Sequence, residues 1–286
     1  MTIHYDALSQ WSIPDATQCY TERDTMLYAL GVGLGSDPLD PHQLAFTYEK
    51  GLQALPSLGF VVGTPGAWFA DPATGITFSR LVNAGVSARF HAPLPPRGQV
   101  TGRTRVKTLA DRGEGKGALL VTQRQLFDAP GDRLLCEVDT TYLLLADGGF
   151  GGPPPPAATP QAVPQRAPDE VLDFPTLPQA ALIYRLSGDT NPLHADPAYA
   201  ARAGFDRPIL HGLCTLGIVT HRLVAARCGH DPARLQSIEG RFSQPLFPGE
   251  TLTVELWGDG SEIVLRARSL ERDVVVLDQG RARLAT

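Results

Sequence analysis

Six segments of the chain alternate apolar and polar positions with a period of two, and they fall into two sets of three. Gln99–Lys107, Ala118–Phe127 and Leu134–Leu145 make the first set; Thr251–Trp257, Glu262–Arg268 and Val274–Leu284 make the second. That period, with β-branched residues, is the pattern of strands that bury one face. A similar turn precedes each set, Ala92-Pro-Leu-Pro-Pro-Arg-Gly98 in one and Gln244-Pro-Leu-Phe-Pro-Gly249 in the other. Connections such as Asp111-Arg-Gly-Glu-Gly115 and Gly258-Asp-Gly260 suit hairpins. Each half also begins with helical material. Thr21 is placed to cap a helix over Glu22–Leu30 that Gly31 and Gly33 end. In the second half, Gly212–Arg227 is apolar on most faces (Leu213, Leu216, Ile218, Val219, Leu223, Val224), which predicts a buried helix. The rhyme between the halves predicts a duplicated unit.

Between Gly148 and Pro178 the pattern stops. Gly148-Gly-Phe-Gly-Gly152 runs into Pro153–Pro156, then Pro160, Pro164 and Pro168. Proline at that density feeds neither a ladder nor a helix interior, so the stretch reads as an extended linker. The expected division is residues 1–150, a linker over 151–178, and residues 179–286, each outer piece of domain length.

Composition adds exclusions. The 286 residues are 43% hydrophobic and 19% charged, as in a globular protein, and the net charge of −5 argues against a nucleic-acid partner. Cys19, Cys136, Cys214 and Cys228 form no C-x-x-C pair, so structural zinc and a disulfide framework are not expected. No apolar run approaches the ~18 residues of a membrane span, and neither a signal peptide nor a Ser-Lys-Leu ending is present. A cytoplasmic location without membrane attachment is the expectation.

The chemistry concentrates in the second half. Tyr184–His194 reads Tyr-Arg-Leu-Ser-Gly-Asp-Thr-Asn-Pro-Leu-His, setting Asp189 and His194 five residues apart around turn-forming Asn191 and Pro192. An aspartate in such a turn serves equally well to tighten it, and a lone histidine is commonly structural. Together, a carboxylate and an imidazole on one loop can aim at a single water, which general acid–base catalysis requires first. Arg207-Pro-Ile-Leu-His-Gly212 then opens the apolar helix. A glycine at a helix N-terminus lets a carbonyl oxygen approach free N–H groups, or simply starts the helix.

These runs, with Asp196-Pro-Ala and Ala203-Gly-Phe, resemble the motif of hydratase 2, the (R)-specific enoyl-CoA hydratases of the MaoC-like family. The likeness extends to Tyr20-Thr-Glu-Arg-Asp24, Tyr28–Gly33, Pro93-Leu-Pro-Pro96, Phe150-Gly-Gly152, Arg241-Phe242 and Pro248–Leu252, as in the two-domain members. The resemblance implies an α+β double hotdog, two tandem repeats, each an antiparallel sheet wrapped around a central helix. It implies that Asp189 and His194 hold water and pass the proton, that Asn191 supports them, and that the Gly212 amide binds the thioester oxygen. Asn83, Arg112 and Phe242 match substrate contacts. Where relatives carry His-Gly, this chain has Asn83-Ala84, and where they usually carry Lys it has Arg112, which keeps the charge. The implied reaction is reversible syn addition of water to a trans-2-enoyl-CoA, giving a (3R)-3-hydroxyacyl-CoA, with acyl-CoA as substrate and no metal or organic cofactor. The first half lacks the motif and by the resemblance shapes the acyl pocket. A homodimer is expected by analogy.

Two other classes stay open on the same fold: an acyl-CoA thioesterase, distinguished by release of free thiol, and a non-catalytic acyl-thioester-binding subunit, which would not need a water-activating pair. Gly31-Val-Gly-Leu-Gly35 follows a helix rather than a strand, so it is not a dinucleotide loop. Gly113-Glu-Gly-Lys-Gly117 lies between strands and reads as a hairpin turn. His194, His211 and His221 lack a metal-binding spacing, and Ser187 and Ser243 lack a nucleophile elbow. Trp11, Trp68 and Trp257 read as core or pocket-lining aromatics.

Overall fold

The structure is a computed structural model that describes residues 2–129, 131–157 and 162–285. All six alternating segments are strands. In chain order the strands are β1 (Ala16–Tyr20), β2 (Leu81–Phe90), β3 (Gly98–Asp111), β4 (Ala118–Asp128), β5 (Arg133–Leu144), β6 (Glu170–Pro175), β7 (Leu235–Phe242), β8 (Thr251–Trp257), β9 (Glu262–Ser269) and β10 (Val274–Leu284). They form one antiparallel sheet in the order β1-β3-β4-β5-β2-β7-β10-β9-β8-β6. Read inward from either edge, the order is the same five-strand arrangement twice. β1 and β6 are the matching edges, and β2 and β7 join the copies with Val86 opposite Gly240.

The stretch expected to be linker throughout ends in a strand. Among its described residues, Glu170–Pro175 forms β6 and pairs with β8, Leu172 opposite Val254. An edge strand tolerates the prolines around it because one side needs no ladder partner. Residues 158–161, with Pro160, lie outside the described residues.

The helices are α1 (Tyr5–Ser9), α2 (Glu22–Gly31), α3 (Pro41–Thr47), α4 (Ala180–Tyr184), α5 (Pro197–Arg202) and α6 (Gly212–Cys228). At the start of α2 the Asp24 carboxylate accepts from the Thr21 N–H (2.8 Å) and hydroxyl (2.7 Å). α6 is the buried helix that the sequence predicts: Leu216, Ile218, Val219 and Leu223 are all but inaccessible. Burying each such side chain stabilises by about 1.5–3 kcal/mol, so α6 is fixed by its apolar girth rather than by one stripe.

The repeats differ in what packs on their sheet. The second repeat carries α6. Its counterpart in the first is a single 3-10 turn, Pro56–Phe60, wholly buried against α6 and β5. The first-half helix α2 instead packs on α3 and α4. One core cluster takes residues from both repeats, including Val86, Leu126, Leu216 and Leu265. A smaller one gathers Ile3, Leu8, Ile76, Leu109 and Leu120 at the far side of the first repeat, flanked by Trp11, Trp68, Phe69 and Tyr142. Three cysteines are buried, Cys19 is exposed and all four are free. Among the described residues no helix is long and apolar enough to cross a membrane.

Candidate active site

The loop from Ser187 to His194 hangs on local chemistry. Gly188 sits at φ 123°, a conformation that residues with a Cβ rarely adopt, and it turns the chain out of the preceding 3-10 turn. The Asp189 carboxylate accepts from the Asn191 N–H at 3.1 Å, and the Asn191 side-chain oxygen accepts from the Leu193 N–H at 3.0 Å. Asn191 thus caps the turn Pro192–His194, with Pro192 at its first position. It supports the pair by holding the turn that carries His194.

His194 is buried, and its Nδ1 lies 2.9 Å from the Ile209 carbonyl oxygen. A carbonyl only accepts, so Nδ1 carries the proton and Nε2 keeps its lone pair. Burial holds this imidazole below the ordinary histidine range, partly offset by the Ile209 carbonyl and the Asp189 carboxylate. The ring is therefore neutral at pH 7 and fit to accept a proton.

His211 is the residue that sequence reasoning missed as part of this site. Its ring stacks on His194, with centroids 3.7 Å apart and planes at 26°, and Tyr184 lies 4.9 Å away. Its Nε2 is 3.2 Å from the main-chain oxygen of Asp189. Burial first, and the neighbouring His194 next, drive its pKa down to about 3. The only sequence signal was a histidine, a poor capping residue, placed immediately before the helix glycine.

Asp189, His194 and His211 each bring one ligand-type atom within 4.8 Å of the others, the one such trio of His, Cys, Asp or Glu among the described residues. Its geometry does not suit a metal ion. Imidazole lone pairs lie in the ring plane, and two nearly parallel rings 3.7 Å apart cannot both aim at one ion. The Asp189 carboxylate and a His194 nitrogen lie within 4.8 Å of each other, a spacing that one water can bridge with hydrogen bonds of ~2.8 Å.

Gly212 opens α6 a residue beyond His211, whose side chain makes no cap. The first N–H groups of the helix and its positive dipole end are thus presented beside the pair. The ring of Phe242, at the end of β7, covers Gly212: a Cβ built there would lie 3.1 Å from two ring atoms. Phe242 is therefore in the site. Asn83 lies on β2 opposite Tyr142 of β5, and its side-chain oxygen accepts from the Gly85 N–H at a bulge. Burial, with the field of Asp189 adding to it, pushes the Tyr142 phenol up to about 12. Arg112 is exposed in the β3–β4 turn, beyond the Ala118–Leu144 pairing. The fold brings Asp189, Asn191, His194, Gly212 and Phe242 together and leaves Arg112 at the rim, with no bond to the rest.

Known proteins resemble this chain in both sequence and structure. Residues 19–146 match the MFE-2 hydratase 2 N-terminal domain and residues 159–279 the MaoC like domain. Enoyl-CoA hydratase ChsH3 of Mycobacterium tuberculosis is 37% identical over 98% of both chains. The peroxisomal enoyl-CoA hydratase 2 of Arabidopsis thaliana is 35% identical over 95% of this chain and 93% of its own. The crystal structure of a MaoC-like dehydratase from Phytophthora capsici superposes with a TM-score of 0.86, at 32% identity and 99% of each chain. With full-length matches at this identity and both halves of the motif in place, the chain belongs to the two-domain hydratase 2 branch of the MaoC-like family.

Proposed function

We propose that this chain is an (R)-specific 2-enoyl-CoA hydratase, reversible and hence also a 3-hydroxyacyl-CoA dehydratase. The observation that carries the reading is the approach of the Asp189 carboxylate to within 4.8 Å of a nitrogen of the neutral, lone-pair-bearing His194, beside the N-terminus of α6. In the hydration direction Asp189 and His194 orient one water and take its proton as its oxygen bonds to C3. The electron pair of the enoyl double bond moves toward the thioester, and charge grows on the carbonyl oxygen. The Gly212 N–H meets that charge, which favours the transition state over the ground state. A proton returns to C2 from the same face, completing syn addition. No step needs a metal or organic cofactor.

The acyl tail is assigned to the first repeat, where the Phe69 ring contacts those of Trp68, Phe78 and Tyr142 at 5.5–5.6 Å. Tyr142, one of that group, lies within the field of the Asp189 charge, which supports this assignment of the tail. Asn83 beside Tyr142 and Phe242 over Gly212 are assigned to substrate contact. Arg112, exposed and positively charged, is assigned to the CoA phosphates. One chain completes the site; the homodimer expected by analogy is checked by light scattering.

The test is Asp189→Asn, which keeps an acceptor for the Asn191 N–H and removes the charge. With trans-2-enoyl-CoAs of several lengths, loss of enoyl absorbance should fall by ~10²–10⁴-fold while the fold is kept. The wild-type product should be 3R, with no free thiol. Comparable turnover in the variant would sink the assignment, and thiol release would make the enzyme a thioesterase.

A further inference from the structure

The chemistry above uses Asp189, His194 and Gly212 and gives His211 no task, although it is the most buried polar group of the site, 1% exposed. We propose that His211 is a positioning residue of the hydratase reaction: its Nε2–H holds the main chain of Asp189 while its ring backs the His194 imidazole, so that carboxylate and base keep one fixed separation. The proposal rests on the hydratase reading of the site.

Three observations support it. Asp189 stands on an exposed loop behind a glycine at φ 123°, and among the described residues its main chain makes no hydrogen bond other than the one to His211. Without that tie, the carboxylate would be located only by its own bond to the Asn191 N–H. Next, the acceptor is a carbonyl, so the hydrogen on Nε2 is obligatory and Nδ1 must carry the lone pair. Nδ1 is buried with no partner, an arrangement in which a second proton would be both unsolvated and unpaired. Finally, the stacked ring blocks one face of His194 while the Ile209 carbonyl fixes its edge, leaving that imidazole one orientation.

The charged and titratable groups facing His211 are His194 on its own turn, Asp189 and Arg185 on the loop, and Tyr184 at the end of α4. Among them only Asp189 favours a charged His211; burial, His194 and Arg185 all oppose it. The ring is therefore a neutral donor at pH 7. A histidine that merely filled space would have no reason to keep one tautomer.

Two variants separate the roles. His211→Phe keeps the ring against His194 and Tyr184 and loses the donor; His211→Gln loses the ring and keeps a side-chain N–H able to reach the Asp189 carbonyl. Positioning predicts that Phe lowers kcat by ~10–100-fold with little change in KM or melting temperature, and that Gln recovers most of the loss. A Phe variant with wild-type kcat, or a Gln variant no better than Phe, would overturn the proposal. Imidazole nitrogen NMR on the wild-type chain supplies a readout independent of turnover. At about pH 5, below the ordinary histidine pKa of about 6.5, His211 should still be neutral and protonated on Nε2. A wild-type chain that hydrates no enoyl-CoA would sink the hydratase reading. The NMR tautomer would then decide whether the clamp exists, and a charged or Nδ1-protonated His211 would overturn it.

Discussion

At Gly212 a single hydrogen decides between two neighbours. The residue begins α6, so its N–H is unpaired within the helix, and Phe242 lies against the face where a side chain would stand. Three ring atoms at 3.1–3.2 Å from an added Cβ mean that alanine must push the ring aside by a few tenths of an ångström or shift the helix start. Either displaces a group assigned to the thioester. Gly212→Ala should therefore lower kcat/KM by ~10²-fold, the usual cost of small misplacements in a reacting geometry. Adding Phe242→Ala should return part of that loss by removing the obstruction, a coupling that a double-mutant cycle measures directly. Full activity in Gly212→Ala alone would show that the close approach is not used. The roles expected of Asp189, His194 and Gly212 came from the resemblance to the hydratase 2 motif, while the turn that carries the pair and the helix start at Gly212 were legible in the sequence as local structure. His211 was not, since its contacts with Asp189 and His194 come from a loop folding back across 17 to 22 residues.

Strands and helices divide in the same way. The bounds Thr251–Trp257 and Val274–Leu284 match the alternating segments of the sequence, but strict alternation of burial holds in β4 and β9, whereas β8 buries Leu252–Val254 in a row and β10 is bulged. The turn Pro56–Phe60 has no period to read: five residues starting at proline and containing glycine are buried on all sides, and their shape is set by what surrounds them. Part of that surrounding is Arg124 of β4, a buried guanidinium with no carboxylate partner among the described residues. It donates to the carbonyls of Val62 (2.6 Å), Gly59 (2.7 Å) and Phe60 (3.0 Å). Burial lowers its pKa from the ordinary arginine value, and the three carbonyls at the end of the 3-10 turn depend on it for their hydrogen bonds. Arg124 alternates correctly with its strand neighbours, yet nothing in the pattern says that it points inward. Replacing it with methionine keeps the volume and orphans the acceptors, each worth about 1–3 kcal/mol. Arg124→Met should thus lose at least about 2 kcal/mol in urea unfolding. An unchanged midpoint would show that water satisfies those carbonyls in its place.

For the molecule as a whole, the repeat is what makes a one-chain active site. On the proposed reading, joining β2 to β7 lets a first repeat without the acid–base motif lend its aromatic side chains to a second that carries Asp189 and His194. The same shared core confines three histidines in their neutral form. His194 and His211 stand in the site; His221 lies midway along α6, edge-on to Phe174 at 5.2 Å. Burial first, and Arg222 beside it next, bring His221 down to about 3. The sign of the consequence follows from proton counting. An unfolded histidine binds its proton near pH 6.5, while the folded one refuses it until about 3, so the unfolded chain holds more protons throughout that window. Stability is complete above about pH 6.5 and drains away as pH falls toward the folded value. Between pH 7 and 5 histidines are the side chains with ordinary pKa values in range, so carboxylates contribute little to that slope. The urea midpoint should accordingly drop from pH 7.5 to pH 5, and His221→Leu should show a shallower drop, whatever its midpoint at pH 7.5. Equal slopes for the two proteins would mean that His221 takes up its proton in the folded state, and that the core around α6 is open to water.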